Sequence, residues 1–566
     1  MNFAGLPSSP FSDWLASPHW VVAPVLLPLA TAAVMLLLGD ARRSVKAGIN
    51  VASTALGLAI ALLLLLRVDA QAAPQAFAVY LPGNWPVPQG IVLVADRLSA
   101  LLAVLAGSVA LAALLYALAR WQHAGVYFHA LFQLQLMGLY GAFFTADLFN
   151  LFVFFEVLLA ASYGLLLHGG GLPRVRAGLH YIAINLFASL LFLIGVAVLY
   201  GVTGTLNMAD IASKLPLVPE SDRGLLHAGA AILAVAFLAK AAIWPLNFWL
   251  PPAYAAASAP AAALFAILTK VGVYAVLRLW TLCFPGGEAH APVFGGQVLV
   301  WGGLATLAFG AVGMMASQQL ARLAGYSIIA SSGTLIAAIG FGMPALASGA
   351  LFYLVSSTLA GSALFLLVEL LERSRQVELV PRDIDDGNDA LPTFFDIEPP
   401  AGINLDDEEE ALTGRAIPAA LAFLGVSFAV CALVVAGLPP LSGFVAKLAM
   451  LLPLLDIGSL SAWALFALLI ASGLLAATAL VRIGITHFWT SGDRAALRLR
   501  IVEIVPIAAL LLALVGVAIE GERLLRYTDA TARALREPAG YIAAVMSTRP
   551  TAKPAFSATA PGGEPR

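Results

Sequence analysis

The sequence predicts an all-α polytopic membrane protein, and three observations predict it. Of 566 residues, 61% are hydrophobic and only 11% charged, where a soluble domain carries roughly 25% charge. Many of the charges are gathered in a few short stretches, so the sequence between them is apolar and almost free of Asp, Glu, Lys and Arg. The apolar runs have the length of a bilayer-crossing helix, about 20 residues. This composition excludes a soluble enzyme. A net charge of −2 without a basic block excludes nucleic acid as a partner. Cys283 and Cys431 both lie in or beside apolar runs and form neither a disulfide framework nor a Cys-based metal site.

About fourteen transmembrane helices are predicted. The first two, 20–38 and 48–66, belong with a proline-rich outer loop (Pro74, Pro82, Pro86, Pro88) to an N-terminal unit, 1–90. The residues ahead of the first span contain Pro7, Pro10 and Pro18 and no basic region, which does not read as a cleaved leader. Residues 91–371 hold the third to eleventh spans: 91–118, 128–145, 149–168, 178–201, 225–250, 254–280, 294–316, 322–342 and 345–371. Residues 372–415 form an insert with Asp385, Asp386 and the run Asp406 to Glu410, whose composition reads as solvated and loosely ordered. Residues 416–520 hold the last three spans. The twelfth starts at 416 and is interrupted at Pro439-Pro440. The turn at Asp456-Ile457-Gly458 separates it from a thirteenth that begins at Ser461, and 501–519 is the fourteenth. Residues 521–566 make a tail, rich in Pro, Ala, Thr and Gly beyond about 548 and partly disordered in this reading.

Lys and Arg concentrate in loops after odd-numbered spans, among them Arg42, Arg43, Lys46, Arg120, Arg174, Arg176, Arg322, Arg373 and Arg500. By the positive-inside rule these loops are cytoplasmic and both termini lie outside. Arg523, Arg526, Arg533 and Arg536 would then also lie outside, as an amphipathic interfacial segment.

The informative residues are charges inside apolar runs. The chain has six lysines, and three are intramembrane and solitary: Lys240, Lys270 and Lys447. Glu156 is the solitary carboxylate of the fifth span. A charge at a helix centre costs roughly 2.5–3.5 kcal/mol even on a mild scale. Buried salt bridges that fix packing would explain one such position. They do not explain three lysines against one glutamate, because the charges do not balance. Lysines in this situation can take up and release protons, and Glu156 can hold or free the proton on a partner lysine. Two lysines lie beside helix breaks: Lys240 precedes Trp244-Pro245, and Lys447 follows Pro439-Pro440. Broken helices at membrane depth are tolerated where they line a cavity. His123, His129, His168, His180, His227 and His487 lie mostly at predicted helix ends and read as interfacial. No HExxH, Walker A or Rossmann pattern is present, so no metal, cofactor or nucleotide is expected.

The segments AKAAIWPLNFWLPPAY (Ala239 to Tyr254), LTKVGVYAVLR (Leu268 to Arg278) and AGLPPLSGFVAKLAML (Ala436 to Leu451) resemble the antiporter-like subunits shared by respiratory complex I, membrane-bound hydrogenases and multisubunit cation/proton antiporters. The resemblance runs over roughly 90–490. NWPVPQGIVLVADRLSALL (Asn84 to Leu102), the stretch from Ala177 to Ala212 and the acidic insert make it most similar to the D-subunit branch of the Mrp/Pha-type sodium or potassium/proton antiporters. It implies two inverted five-helix repeats, helices 4–8 and 9–13, broken helices 7 and 12, and a proton path along the membrane midplane. By motif, Glu156 is then the fifth-helix glutamate, Lys240 its partner, Lys270 the connecting lysine and Lys447 the terminal lysine. The sequence departs from the pattern at Ser331 and Ser332, at Ser356 or Ser357, and at Tyr254, where relatives often carry histidine. Serines and water then have to bridge the second half.

The reading is a proton-translocating subunit, not an enzyme, in a bacterial inner membrane. Its partners are the other membrane subunits of an antiporter, the lipid bilayer, protons, and Na+ or K+. The alternative is the same proton chemistry in a complex I-type dehydrogenase or a hydrogenase. A stand-alone solute carrier would need a midplane substrate pocket, and a pure scaffold gains nothing from unbalanced buried lysines.

Overall fold

The computed structural model describes residues 17–39, 42–71, 76–284, 294–379, 419–488 and 499–551. Among these, twelve helices are long and apolar enough to cross a membrane. In chain order the elements are α1 (Ala23–Leu37), α2 (Arg43–Asp69), β1 (Ala78–Tyr80), β2 (Leu93–Ala95), α3 (Arg97–Ala117), α4 (Phe128–Phe144), α5 (Leu148–Leu167), α6 (Leu172–Thr203) and the short α7 (Met208–Lys214). There follow α8 (Glu220–Lys240), α9 (Leu250–Ala256), α10 (Ala259–Phe265), α11 (Leu268–Cys283), α12 (Gly296–Ala316), α13 (Leu320–Gly340) and α14 (Pro344–Leu379). The last group is α15 (Ala419–Ala436), α16 (Ser442–Ile457), α17 (Leu460–Phe488), α18 (Ile501–Ile519), α19 (Gly521–Arg536) and α20 (Ala539–Ser547). The expected first and fourth spans correspond to α1 and α4, with 15 and 17 residues, and fall short of the twelve that meet the length and apolarity needed.

The seventh and twelfth spans are broken as expected, into α8/α9 and α15/α16. The two breaks start with the same turn. At the end of α8, Ala242 adopts a left-handed φ of 57° and Ile243 N donates to Leu238 O at 3.0 Å. At the end of α15, Gly437 has φ 76° and Leu438 N donates to Leu433 O at 2.9 Å. This is the left-handed turn that commonly ends a helix by capturing its last carbonyls. Alanine is an unusual occupant of that conformation, so the likeness is invisible in sequence.

The eighth span differs from expectation. Residues 254–256 belong to α9, and the span itself starts at Ala259 and is interrupted at Ala266 and Ile267. Two hydroxyls supply the reason: Tyr254 Oη donates to Phe265 O at 2.8 Å and Ser362 Oγ to Ala263 O at 2.9 Å. These donate to carbonyls of the broken segment inside the bundle.

The centre of the bundle is built from the helices least exposed to lipid. In the apolar stretches of the eighth and eleventh spans 94% of the residues are buried, against 33% in those of α15 and α18. Small residues let helices meet closely: a Cβ on Gly303 of α12 would lie 2.4 Å from Ala337 N of α13, and one on Gly333 2.5 Å from Leu307 N.

Connections sort into two faces. On one, His168 Nε2 meets Trp121 O at 2.9 Å, Trp121 Nε1 donates to Glu369, Arg373 pairs with Glu503 at 2.8 Å and Arg500 donates to Ala119 O. All of these residues flank loops after odd spans. On the other, β1 pairs antiparallel with β2, the Asp147 and Asn207 backbones bridge, Asn84 bonds Thr551, and Tyr527 donates to Arg97 O. These belong to loops after even spans and to the tail. Helix α19 buries Tyr527, Thr528, Thr531, Ala532 and Leu535, while Arg523, Arg526 and Arg533 point outward and pair with acidic residues of the same segment. Helix α14 continues to Leu379. Most of the acidic insert, with Asp385, Asp386 and Asp406 to Glu410, lies outside the described residues, as do 552–566.

Candidate functional site: a midplane row of lysines and hydroxyls

Lys240, Lys270 and Lys447 are all buried, with exposures of 7%, 0% and 8%. Each lies at or near a break. Lys240 is the last residue of α8, at the carbonyl end of a half-helix, where the helix dipole favours a cation. Lys447 lies on α16, and its Nζ donates at 2.7 Å to Ala436 O, the last residue of α15, so it too faces a carbonyl end. Glycines make room for it: a Cβ on Gly473 would lie 2.6 Å from Ala436 O and 3.0 Å from Lys447 Nζ. Lys270 lies in the first turn after the break in the eighth span.

Glu156 and Lys240 are joined through a third residue. Ser189 of α6 donates from Oγ to Glu156 Oε1 in a very short hydrogen bond, and Lys240 Nζ donates to Ser189 Oγ at 3.2 Å. Lys240 Nζ also lies 4.9 Å from the ring centre of Phe155, on the face that attracts cations. Beside Lys240 is a cavity of about 20 Å3 lined also by Tyr181, Asn185, Trp249 and Leu268, which leads towards the start of α11. That volume holds about one water.

In the second half, Lys270 Nζ donates to Ser331 Oγ at 2.8 Å and reaches Ser332 Oγ at 3.5 Å. Ser331 and Ser357 hydroxyls are 2.9 Å apart, and Ser356 and Ser442 hydroxyls 2.8 Å. Between this group and Lys447 is a cavity of about 30 Å3, lined by Tyr353, Ser356, Ser357, Ser472 and Lys447 among others. Hydroxyls that both donate and accept thus connect Lys270 to a water-sized space that Lys447 lines.

The four residues singled out in the sequence fall into two hydrogen-bonded groups, Glu156–Ser189–Lys240 and Lys270–Ser331–Ser357, with Lys447 across the second cavity. Sequence reasoning missed Ser189, although Tyr181, Asn185 and Ser189 recur every four residues along an otherwise apolar span, which marks one polar helix face. It also missed the buried pair Asp96–Arg278, and a polar cluster between α2 and α4. There Gln133 Nε2 donates to Asn50 Oδ1 at 2.6 Å and Asn50 Nδ2 meets His129 Nδ1 at 2.9 Å, so His129, the second residue of α4, is buried between helices at a helix end. Among the described residues, no group of His, Cys, Asp and Glu is arranged to hold a metal ion.

The site is thus set in a polytopic helical bundle with three interrupted spans and a buried lysine at or near each interruption. The family profile described as NADH:quinone oxidoreductase/Mrp antiporter, transmembrane, matches residues 145–386. The chain is 49% identical to a Rhizobium meliloti protein named as the D subunit of a probable K(+)/H(+) antiporter, over 95% of this chain and 98% of that one. It is 32% identical to the Na(+)/H(+) antiporter D subunit of Alkalihalophilus pseudofirmus, over 93% and 99%. A chain of the Mrp complex from Dietzia sp. shares the fold with a TM-score of 0.78 at 24% identity, over 94% of this chain and all of that one. A chain of respiratory complex I from Thermus thermophilus shares it with a TM-score of 0.71 at 24% identity, again over 94% of this chain and all of that one. The chain belongs to the family of monovalent cation/proton antiporter D subunits.

Proposed function

We propose that this chain is the proton-translocating subunit of a multisubunit Na+ or K+/proton antiporter, with Glu156, Lys240, Lys270 and Lys447 as its relay. The observation that carries the reading is the hydroxyl between Glu156 and Lys240. A carboxylate that reaches a lysine through a serine can stabilise the ammonium form when the chain is intact and release it when the serine turns away. A proton then passes from Lys240 by way of the small cavity to Lys270, and through Ser331 and Ser357 to Lys447. The names of the full-length relatives support a cation/proton antiporter over a redox complex, whose likeness is one of fold. Both termini are assigned to the outside, because the arginine-rich loops share one face. The acidic insert is assigned to the cytoplasm as a solvated segment that the relay does not need.

The test is cation-driven proton movement in inverted vesicles that contain the whole complex. Lys240→Ala and Glu156→Gln are each expected to abolish exchange at unchanged protein level, and the double variant to be little worse than either, because residues acting as a unit are not additive. Near-normal exchange in either single variant, or effects that multiply independently, would remove the relay role of the pair.

A further inference from the structure

Outside the lysine row lies a buried ion pair without a role in the proposed path. Arg278 Nη2 donates to both carboxylate oxygens of Asp96 at 2.7 Å, and the two residues are only 5% and 6% exposed. Asp96 also caps α3 by accepting from Ser99 N at 2.9 Å. The guanidinium lies 5.6 Å from the ring centre of Tyr274 and 5.2 Å from that of Tyr541 on α20. Beside the pair is a cavity of about 30 Å3 lined by Asp96, Arg278, Thr281 and Tyr541 among others. Lys270, Tyr274 and Arg278 recur every four residues along α11, so they share one helix face. The arginine therefore stands on the same face as the relay lysine, two turns nearer the face that carries β1, β2 and the tail.

We propose that the Asp96–Arg278 pair is an electrostatic positioning element for the relay, which sets from that face how readily Lys270 holds its proton. The inference rests on the relay reading of Lys270. Eight helical residues span about 12 Å. At that distance and an effective dielectric of about 20, a unit charge shifts a proton equilibrium roughly tenfold, or about one pH unit. With Asp96 in place the two charges largely cancel at Lys270. Without it, the bare guanidinium favours departure of the proton towards Ser331. No other fixed charge faces Lys270 so directly among the described residues: α13 presents Ser331 and Ser332, and α8 carries Lys240, which has its own partner in Ser189. The charges beyond Asp96 are Arg97 and Asp69, themselves paired at 3.5 Å. Titratable side chains around the pair and Lys270 also include Tyr254, Tyr274, Tyr353, Cys283, Tyr527 and Tyr541, and α7, which packs against α11, carries Asp210, itself paired with Lys214 at 2.9 Å.

The experiment measures exchange against pH in vesicles holding the whole complex. A relay that needs a protonated Lys270 loses activity as pH rises, so the alkaline limb of the profile reports on that site. Asp96→Asn is expected to move this limb about one pH unit down, and Arg278→Met about one unit up. The double variant is expected to bring it back to the unmodified position. A brace that only holds helices together would lower the rate in both single variants without moving the limb in opposite directions, and that result would overturn the proposal. Removing one partner of a buried pair is strongly destabilising. Thr281→Asp therefore serves as a second route, placing a carboxylate beside Arg278 with the pair intact. It is expected to move the limb up, and an unmoved limb there counts against the proposal even if the single variants fail to assemble. Exchange that persists in Lys270→Ala would instead refute the relay reading itself, whichever way the limbs move.

Discussion

Replacing Ser189 with alanine should separate Glu156 from Lys240 without removing any charge. The hydroxyl accepts from Lys240 Nζ at 3.2 Å and donates to Glu156 Oε1, so alanine deletes both hydrogen bonds. Ser189 is buried among the spans, 5% exposed, so bulk water does not replace the hydroxyl freely. A hydrogen bond to a charged group contributes about 1.5–3 kcal/mol. If one such bond is lost from the step that moves the proton, the rate falls roughly 10- to 150-fold, because about 1.4 kcal/mol is a factor of ten. Ser189→Thr keeps the hydroxyl and should retain most of the rate. The assay is the initial rate of cation-dependent pH change in inverted vesicles at matched complex levels. A Ser189→Ala rate within twofold of the unmodified complex would show that Glu156 and Lys240 communicate without this hydroxyl, and the reasoning from the bridge would fail.

Ser356→Leu should slow exchange at least tenfold by filling the cavity of about 30 Å3 beside Lys447 and cutting the Ser356–Ser442 contact, and Ser356→His should be tolerated or faster. An unchanged rate for the leucine variant would remove this cavity from the path. Gly473→Ala brings a methyl within 3.0 Å of Lys447 Nζ and 2.6 Å of Ala436 O, so it should displace the lysine and lower exchange at least tenfold in complexes that still assemble. A normal rate would mean that the contact with Ala436 O is dispensable. Tyr254→Phe leaves the Phe265 carbonyl without its donor at 2.8 Å, and an unmet buried polar group costs about 1–3 kcal/mol. The variant should show a lower Tm of the purified complex, and an unchanged Tm would mean that the tyrosine does not hold the break in the eighth span.

The amino-acid sequence determined the membrane class, nearly every span and the positions of Lys240, Lys270, Lys447 and Glu156 within them, because each rests on local composition. An apolar run of about 20 residues has few alternatives to a helix in lipid, and a lone lysine within it is conspicuous wherever the helix packs. The breaks at Pro245 and Pro439-Pro440 were legible for the same reason, since proline cannot continue a helix without losing a hydrogen bond. The interruption of the eighth span was not legible. It depends on hydroxyls from Tyr254 and Ser362, 11 and 99 residues away along the chain from the carbonyls they satisfy. The link from Glu156 to Lys240 was equally hidden, because Ser189 is one serine among many until α5, α6 and α8 bring it between the two charged side chains. Asp96 and Arg278 are 182 residues apart, and nothing along the chain links them. Only packing makes them a pair. The lysines could be found one at a time in the sequence, but the hydroxyls and cavities between them are set by distances across helices, and those exist only in the folded chain.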